Sequence, residues 1–226
     1  MILPIYLKEK HPFVELDGNL WLFDTGSPYS FGDKENISID GIKFQLPSNF
    51  PIPIGSFGTE TIVKHVGVNC VGLIGMDVIG KFDHIIDIGK NQLTISKNEL
   101  EYTGKEVRLS NIMNVPAFTA SIANKEYTML FDTGAQISFF LNNSIVDFPY
   151  VGKFTDFFPT YGKFETDTYT VEVELNGVTF KLLSGNYLPE ELSKIIKSFK
   201  VDGFVGSEML INRVVGFTPR RNVMYI

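Results

Sequence analysis

An eleven-residue segment occurs twice in this chain. Trp21-Leu-Phe-Asp-Thr-Gly-Ser-Pro-Tyr-Ser-Phe31 aligns without gaps on Met129-Leu-Phe-Asp-Thr-Gly-Ala-Gln-Ile-Ser-Phe139, with seven of eleven positions identical at an offset of 108 residues. A second pair follows in the same order: Val71-Gly-Leu-Ile-Gly-Met76 and Asp202-Gly-Phe-Val-Gly-Ser207 each set two bulky apolar residues before a glycine. Both lead into similar endings, Lys81 through Ile95 and Asn212 through Ile226, which read as strand, polar turn and strand. A duplicated order of motifs calls for two related units. The 226 residues amount to about one and a half ordinary domains, and they divide into a first lobe at 1–103 and a second at 104–226, with the boundary in the polar stretch after the first ending.

Composition excludes several alternatives. Apolar residues make up 44% and charged residues 20% of the chain, so it can bury a core. The net charge is -6 and no basic stripe is present, which argues against a nucleic-acid partner. No apolar run approaches the ~18 residues of a membrane span, and Met1 to Lys8 lacks a basic segment ahead of an apolar one. The expectation is therefore a cytoplasmic protein with no membrane partner, active as the full chain. The single cysteine, Cys70, lies among apolar neighbours and reads as a small buried thiol. His11, His65 and His84 have no metal-ligand spacing, so they read as surface or core residues, with no metal and no cofactor expected. Arg220-Arg221 reads as a solvated turn.

Most of the chain consists of short strand-like runs separated by Gly, Asn, Asp or Pro. Asn176-Gly177 between Thr168–Leu175 and Val178–Leu182 is a hairpin signal. One helix is expected, because Leu188, Leu192, Ile195, Ile196 and Phe199 recur at helical spacing behind Pro189. The fold class is mainly β.

In each repeat an apolar strand end, Leu22-Phe23 or Leu130-Phe131, delivers an aspartate onto a turn whose glycine permits close backbone approach. Brought together across a pseudo-twofold axis, Asp24 and Asp132 form a two-carboxylate site that holds one shared proton. The ionised partner can take a proton from a water while the protonated one donates to a carbonyl oxygen, giving hydrolysis without a covalent intermediate. The neighbouring Thr25 and Thr133 have hydroxyls able to bond backbone across the axis.

Two D-T-G turns, each followed by an apolar-apolar-glycine segment, resemble the pepsin and retropepsin group of aspartic peptidases over nearly the whole chain. The resemblance implies a bilobal, pseudo-twofold acid-protease fold with Asp24 and Asp132 as the catalytic dyad. Thr25 and Thr133 would interlock the loops, and Gly75 and Gly206 would belong to the strands packed behind the aspartates. Gly26, Ser27, Gly134 and Ala135 complete the supporting loops. Ile74-Gly-Met-Asp-Val-Ile79, with Phe82 and Ile86-Asp87 after it, is especially similar to retropepsin-type lobes. Retropepsins use two identical chains, whereas both halves lie here in one, which implies an active monomer acting on a peptide or protein substrate.

The halves are unequal. From the aspartate to the matching turn glycine the gap is 17 residues in the first half, at Gly41, and 45 in the second, at Gly177. In the peptidase group this segment carries the flap, a hairpin that closes over the substrate, so one flap is expected, on the C-terminal lobe. Its tip is expected at Tyr161, Gly162 and Lys163, flanked by Phe164. Ser27 follows the first D-T-G where Ala135 follows the second; its hydroxyl is expected to donate to Asp24, making Asp24 the base and Asp132 the acid. An aspartic endopeptidase is thus the leading expectation. A peptide-binding module that does not cut is the second. A carboxylate-pair glycosidase is a weak third, because its chemistry does not need duplicated D-T-G turns.

Overall fold

The computed structural model describes residues 1–51 and 57–226. The chain is mainly β, with two large sheets. In the first half, hairpin Ile2–Lys8/His11–Leu16 continues into Asn19–Phe23, which then pairs in parallel with Gly72–Ile74, placing Phe23 opposite Ile74. Phe31–Gly32 returns antiparallel on the other side of Gly72–Ile74. The second half repeats this arrangement: Val115–Ile122 and Lys125–Phe131 form the hairpin, Gly203–Val205 pairs in parallel with Lys125–Phe131, and Ser138–Phe140 flanks it. In both halves the D-T-G turn lies between two strands that sandwich a third. Its position is fixed from both sides.

The hairpin turns follow local chemistry. Asp40-Gly41 and Asn176-Gly177 both have positive φ at each residue (47° and 80°, 46° and 75°), the conformation that matches strand twist in a two-residue turn. After this shared turn the halves diverge. Asn36–Ile39 and Ile42–Gln45 are four-residue strands in a sheet of their own. By contrast, Gly162–Leu175 is a 14-residue strand that pairs with Val178–Gly185 on one side and with Tyr150–Phe158 on the other. No hairpin of this length occurs among the described residues of the first half.

Each half also carries a helix over a small apolar cluster. Glu190–Ser198 follows Pro189 as the spacing predicts; Leu188 and Ile196 are buried, but Ile195 and Phe199 are exposed, so the apolar stripe is narrower than the sequence suggested. Thr59–Val66 is a helix the sequence reading did not find. It buries Ile62 and Val66 one turn apart and ends at Gly67, whose positive φ of 78° lets its N–H reach Val63 O (3.0 Å). Eight residues with one buried pair are too few for helical periodicity to stand out.

The halves do not end at their own sheets. Val214–Thr218 from the second half pairs antiparallel with Asp83–Asp87 from the first, and Val223–Tyr225 and Glu106–Arg108 extend the same ten-stranded sheet. The terminal strands Ile2–Lys8 and Val223–Tyr225 both belong to this sheet, separated by three others. Under it lies one core drawn from both halves, including Trp21, Phe23, Phe82, Phe118, Phe131 and Phe217. At about 1.5–3 kcal/mol per fully buried large apolar side chain, this shared core is a major term holding the halves together.

Arg220 and Arg221 are exposed, as a solvated turn implies, but they also hold a buried carboxylate. Their Nη2 atoms each lie 2.6 Å from one oxygen of Asp83, whose side chain has no exposed surface. Thr218 Oγ1 (2.8 Å) and the Leu100 N–H (3.1 Å) also donate to that carboxylate. Burial pushes the Asp83 carboxyl up, but the Arg220 bond together with these donors outweighs it and holds the group below its ordinary value. A carboxylate can be buried when its acceptor sites are filled by charged and neutral donors together, and here those donors come mainly from the opposite half. Cys70 is buried and unpaired, with its thiol pushed up by burial. No helix of the described residues is long and apolar enough to cross a membrane.

Candidate active site

The two D-T-G turns meet at the junction of the halves through four reciprocal hydrogen bonds. The Thr25 N–H donates to Thr133 Oγ1 (3.0 Å) and the Thr133 N–H donates to Thr25 Oγ1 (3.0 Å). Each hydroxyl in turn donates to the carbonyl before the opposite aspartate, Thr25 Oγ1 to Phe131 O and Thr133 Oγ1 to Phe23 O, both at 2.7 Å. Both threonines have no exposed surface. Removing one hydroxyl would leave a buried N–H and a buried C=O unpaired, at about 1–3 kcal/mol each.

This lock brings Asp24 and Asp132 together. A Cβ on Gly26 would collide with the Asp132 carboxyl, and one on Gly134 with that of Asp24, so each glycine makes room for the carboxyl of the other half. The backbone then fills acceptor sites. Asp24 Oδ1 accepts from the N–H groups of Gly26 (2.8 Å) and Ser27 (3.0 Å), and Asp132 Oδ1 from that of Gly134 (3.0 Å). The aspartate N–H groups bond Ile74 O and Val205 O, both at 3.0 Å, anchoring the turns to the strands behind them. Both aspartates keep part of their surface open to solvent.

Burial raises Asp24 to about 6 against the pull of the Gly26 and Ser27 amides. Asp132 is raised well above the ordinary carboxyl value, by burial first and then by the charge of Asp24 and the hydrogen bond between the two carboxyls. Both carboxyls are raised, and the pair therefore favours a single negative charge shared between them. The Ser27 hydroxyl has no part in this. Ser27 Oγ donates to Tyr29 O (2.7 Å), and it is the Ser27 backbone that faces the carboxylate.

Gly75 and Gly206 directly follow the strands Gly72–Ile74 and Gly203–Val205, and a Cβ on either would strike backbone carbonyls of the adjoining turn. Their N–H groups donate to Ser30 Oγ (2.8 Å) and Ser138 Oγ (3.1 Å). These two buried serines, six residues after each aspartate, tie the turn to the glycine behind it. Sequence reasoning passed over them, although Ser30 and Ser138 are identical positions of the repeat.

The long hairpin of the second half turns at Pro159, Thr160 and Tyr161, closed by the Tyr161 N–H to Phe158 O (3.0 Å). The tip is thus shifted toward the N-terminus of the expected one: Tyr161 is exposed at the turn, while Gly162 and Lys163 already pair with Phe158 and Phe157. Phe164 is buried in the second-half cluster with Phe139 and Leu188, alongside Phe154 and Phe158. Near its end the hairpin meets the first half, where Phe157 stacks on His65 of helix Thr59–Val66 with ring centroids 3.9 Å apart and planes at 6°.

Sequence comparison finds no matching family and no matching curated protein. Solved structures are similar over nearly the whole chain. The aspartic proteinase from Irpex lacteus superposes with a TM-score of 0.53 at 9% identity, covering 99% of this chain and 96% of that one. This chain has the aspartic-proteinase fold. Basic 7S globulin from soybean matches it equally well, with a TM-score of 0.54 at 9% identity over 99% of this chain and 93% of the other. An aspartic-proteinase fold thus occurs under a proteinase's name and under a globulin's, and at such identities the likeness speaks for architecture alone.

Proposed function

We propose that this protein is an aspartic endopeptidase, acting as a monomer with retropepsin-sized lobes. The observation that carries the reading is the reciprocal threonine lock, which holds two carboxyls, both raised above the ordinary value, in one partly open site. Ionised Asp24 takes a proton from a water lying between the carboxyls as the water attacks the scissile carbonyl carbon. Asp132 gives its proton to the carbonyl oxygen, and the resulting tetrahedral diol collapses with proton transfer to the leaving amine. The hairpin Tyr150–Phe158/Gly162–Leu175 serves as the flap, with Tyr161, Gly162 and Lys163 over the substrate, which binds extended by main-chain pairing. Phe164 acts from beneath as part of the apolar wall. The proposed setting is the cytoplasm, with peptides or proteins as substrates and no cofactor.

Cleavage of a peptide library at several pH values by wild type and Asp24→Asn tests the assignment. Turnover is expected to rise and fall with pH in the wild type, and the variant is expected to lose a factor of at least ~10³, as befits the loss of a general base. Equal cleavage by both proteins, or none by either, would end the peptidase reading. Peptide binding without cleavage by the wild type would favour a binding module.

A further inference from the structure

The two D-T-G turns are nearly alike, but the hairpin tips seated beside them differ in charge. In the first half, Glu9-Lys10, with φ of 47° and 62°, joins Ile2–Lys8 to His11–Leu16. In the second, Met113-Asn114, with φ of 51° and 68°, joins Ser110–Ile112 to Val115–Ile122. Each tip crosses to the opposite half. Gln136 Nε2 donates to Glu9 O (2.8 Å) and Ser207 Oγ donates to Lys10 O, which seats the first tip beside the second D-T-G turn. Asn114 Nδ2 donates to Pro28 O (3.1 Å), which seats the second tip beside the first turn. Pro28 and Gln136 are equivalent positions of the repeat, four residues after each aspartate. The tips therefore flank the dyad as a related pair, one on each side.

Lys10 and Asn114 are the matching second residues of these tips. Asn114 ends in a neutral amide that is used up on Pro28. Lys10 instead reaches the long hairpin of the second half, where its ammonium lies 5.3 Å from the centre of the Phe154 ring. Phe154 packs with Phe158 and Phe164 in the apolar wall beneath that hairpin. Lys10 is exposed, and among the described residues no carboxylate lies within ion-pair distance of it. Glu208, just after Ser207, feels its charge, but Glu208 Oε2 accepts from the Leu183 N–H (2.8 Å). An ammonium resting on an aromatic face is held in place without being neutralised, so it keeps its charge for another partner.

We propose that Lys10 is a specificity-determining residue that binds an acidic side chain of the substrate peptide, on the second-half side of the dyad. The proposal rests on the reading that the cleft takes an extended peptide. Successive side chains of such a peptide point to opposite faces, so one fixed cation reads one position and not the net charge of the ligand. The matching place on the other side holds a neutral asparagine, and the selection acts at one end alone. Charge complementarity of this kind sets which partner is accepted more than how tightly it is held.

Cleavage-site profiling of a peptide library by mass spectrometry, with wild type, Lys10→Met and Lys10→Glu, tests this. At about 0.1 M salt the wild type should favour Asp or Glu over Asn or Gln at one position by about two- to five-fold. The preference should vanish in Lys10→Met and reverse toward Lys and Arg in Lys10→Glu. In the wild type it should also fade at about 1 M salt, where the screening length falls to about 3 Å; this arm needs no variant to fold, and thermal unfolding checks those that are used. An acidic preference that survives in folded Lys10→Glu, or is absent from the wild type, overturns the role of Lys10 and leaves the peptidase reading standing. If the wild type cuts nothing, the peptidase reading falls instead. Capture of the same library on immobilised wild type and Lys10→Glu then reads the charge preference directly, and equal capture of acidic and neutral peptides by the wild type overturns the inference.

Discussion

Asp24 shows how one side chain can serve the site at the expense of stability. Its folded pKa is raised to about 6, so the folded chain binds this proton more tightly than the unfolded one. The resulting stability is fully present below an unfolded value near 3.9 and is lost as pH rises through about 6. Asp24→Asn carries no charge to bury. It should be more stable than wild type above pH 6, on the order of 1–2 kcal/mol after discounting for partial exposure, with the advantage vanishing below about pH 4; chemical denaturation at pH 4 and pH 7.5 measures both ends. Residue-scale chemistry was largely legible in the repeat, since an aspartate, a hydroxyl and a glycine in sequence specify the lock between the turns. Ser27 was not. Whether its hydroxyl or its amide faces the carboxylate depends on the path of the turn, and Tyr29 O proved the nearer acceptor for the hydroxyl.

Among the elements, the long hairpin is the main departure from twofold symmetry, and the 28-residue difference in spacing between the repeats announced it. Its contact with the first half was not announced. The His65–Phe157 stack joins a helix too short to show in the sequence to a strand far along the chain, and nothing local encodes the pairing. Burial, with Lys64 and Lys163 nearby, pushes His65 below its ordinary value, so the stack is between neutral rings at pH 7. Aromatic pairs of this kind contribute about 0.5–1.5 kcal/mol. Phe157→Ala should therefore loosen the hairpin, seen as faster amide exchange across Tyr150–Phe158 and a several-fold higher KM, with global unfolding moved little. Deleting residues 158–165, which also takes Phe164 out of the second-half cluster, should abolish turnover and lower stability, so folding is checked by thermal unfolding; unchanged kinetics would show that the hairpin is not a flap.

Across the whole molecule, the halves are joined by a shared sheet, a shared core and the Asp83 cluster. The sequence showed the duplication but not this seam, because Arg220 and Arg221 look like any polar turn until Asp83, more than 130 residues earlier, is placed beneath them. With Asp83 held below its ordinary value, its contribution is present above about pH 4 and is lost as pH falls through the lower folded value. Asp83→Asn should destabilise the protein by about 1.5–3 kcal/mol at pH 7, since the charge-assisted bonds to two partly exposed guanidinium groups are lost, and the gap to wild type should narrow in acid; thermal unfolding against pH measures it. The single hairpin has a last consequence for the ligand. A site with true twofold symmetry reads an extended peptide equally well from either end, so that N-to-C and C-to-N threading are degenerate. If the site takes an extended peptide as proposed, one hairpin on one side removes that degeneracy and fixes which way the bound chain runs.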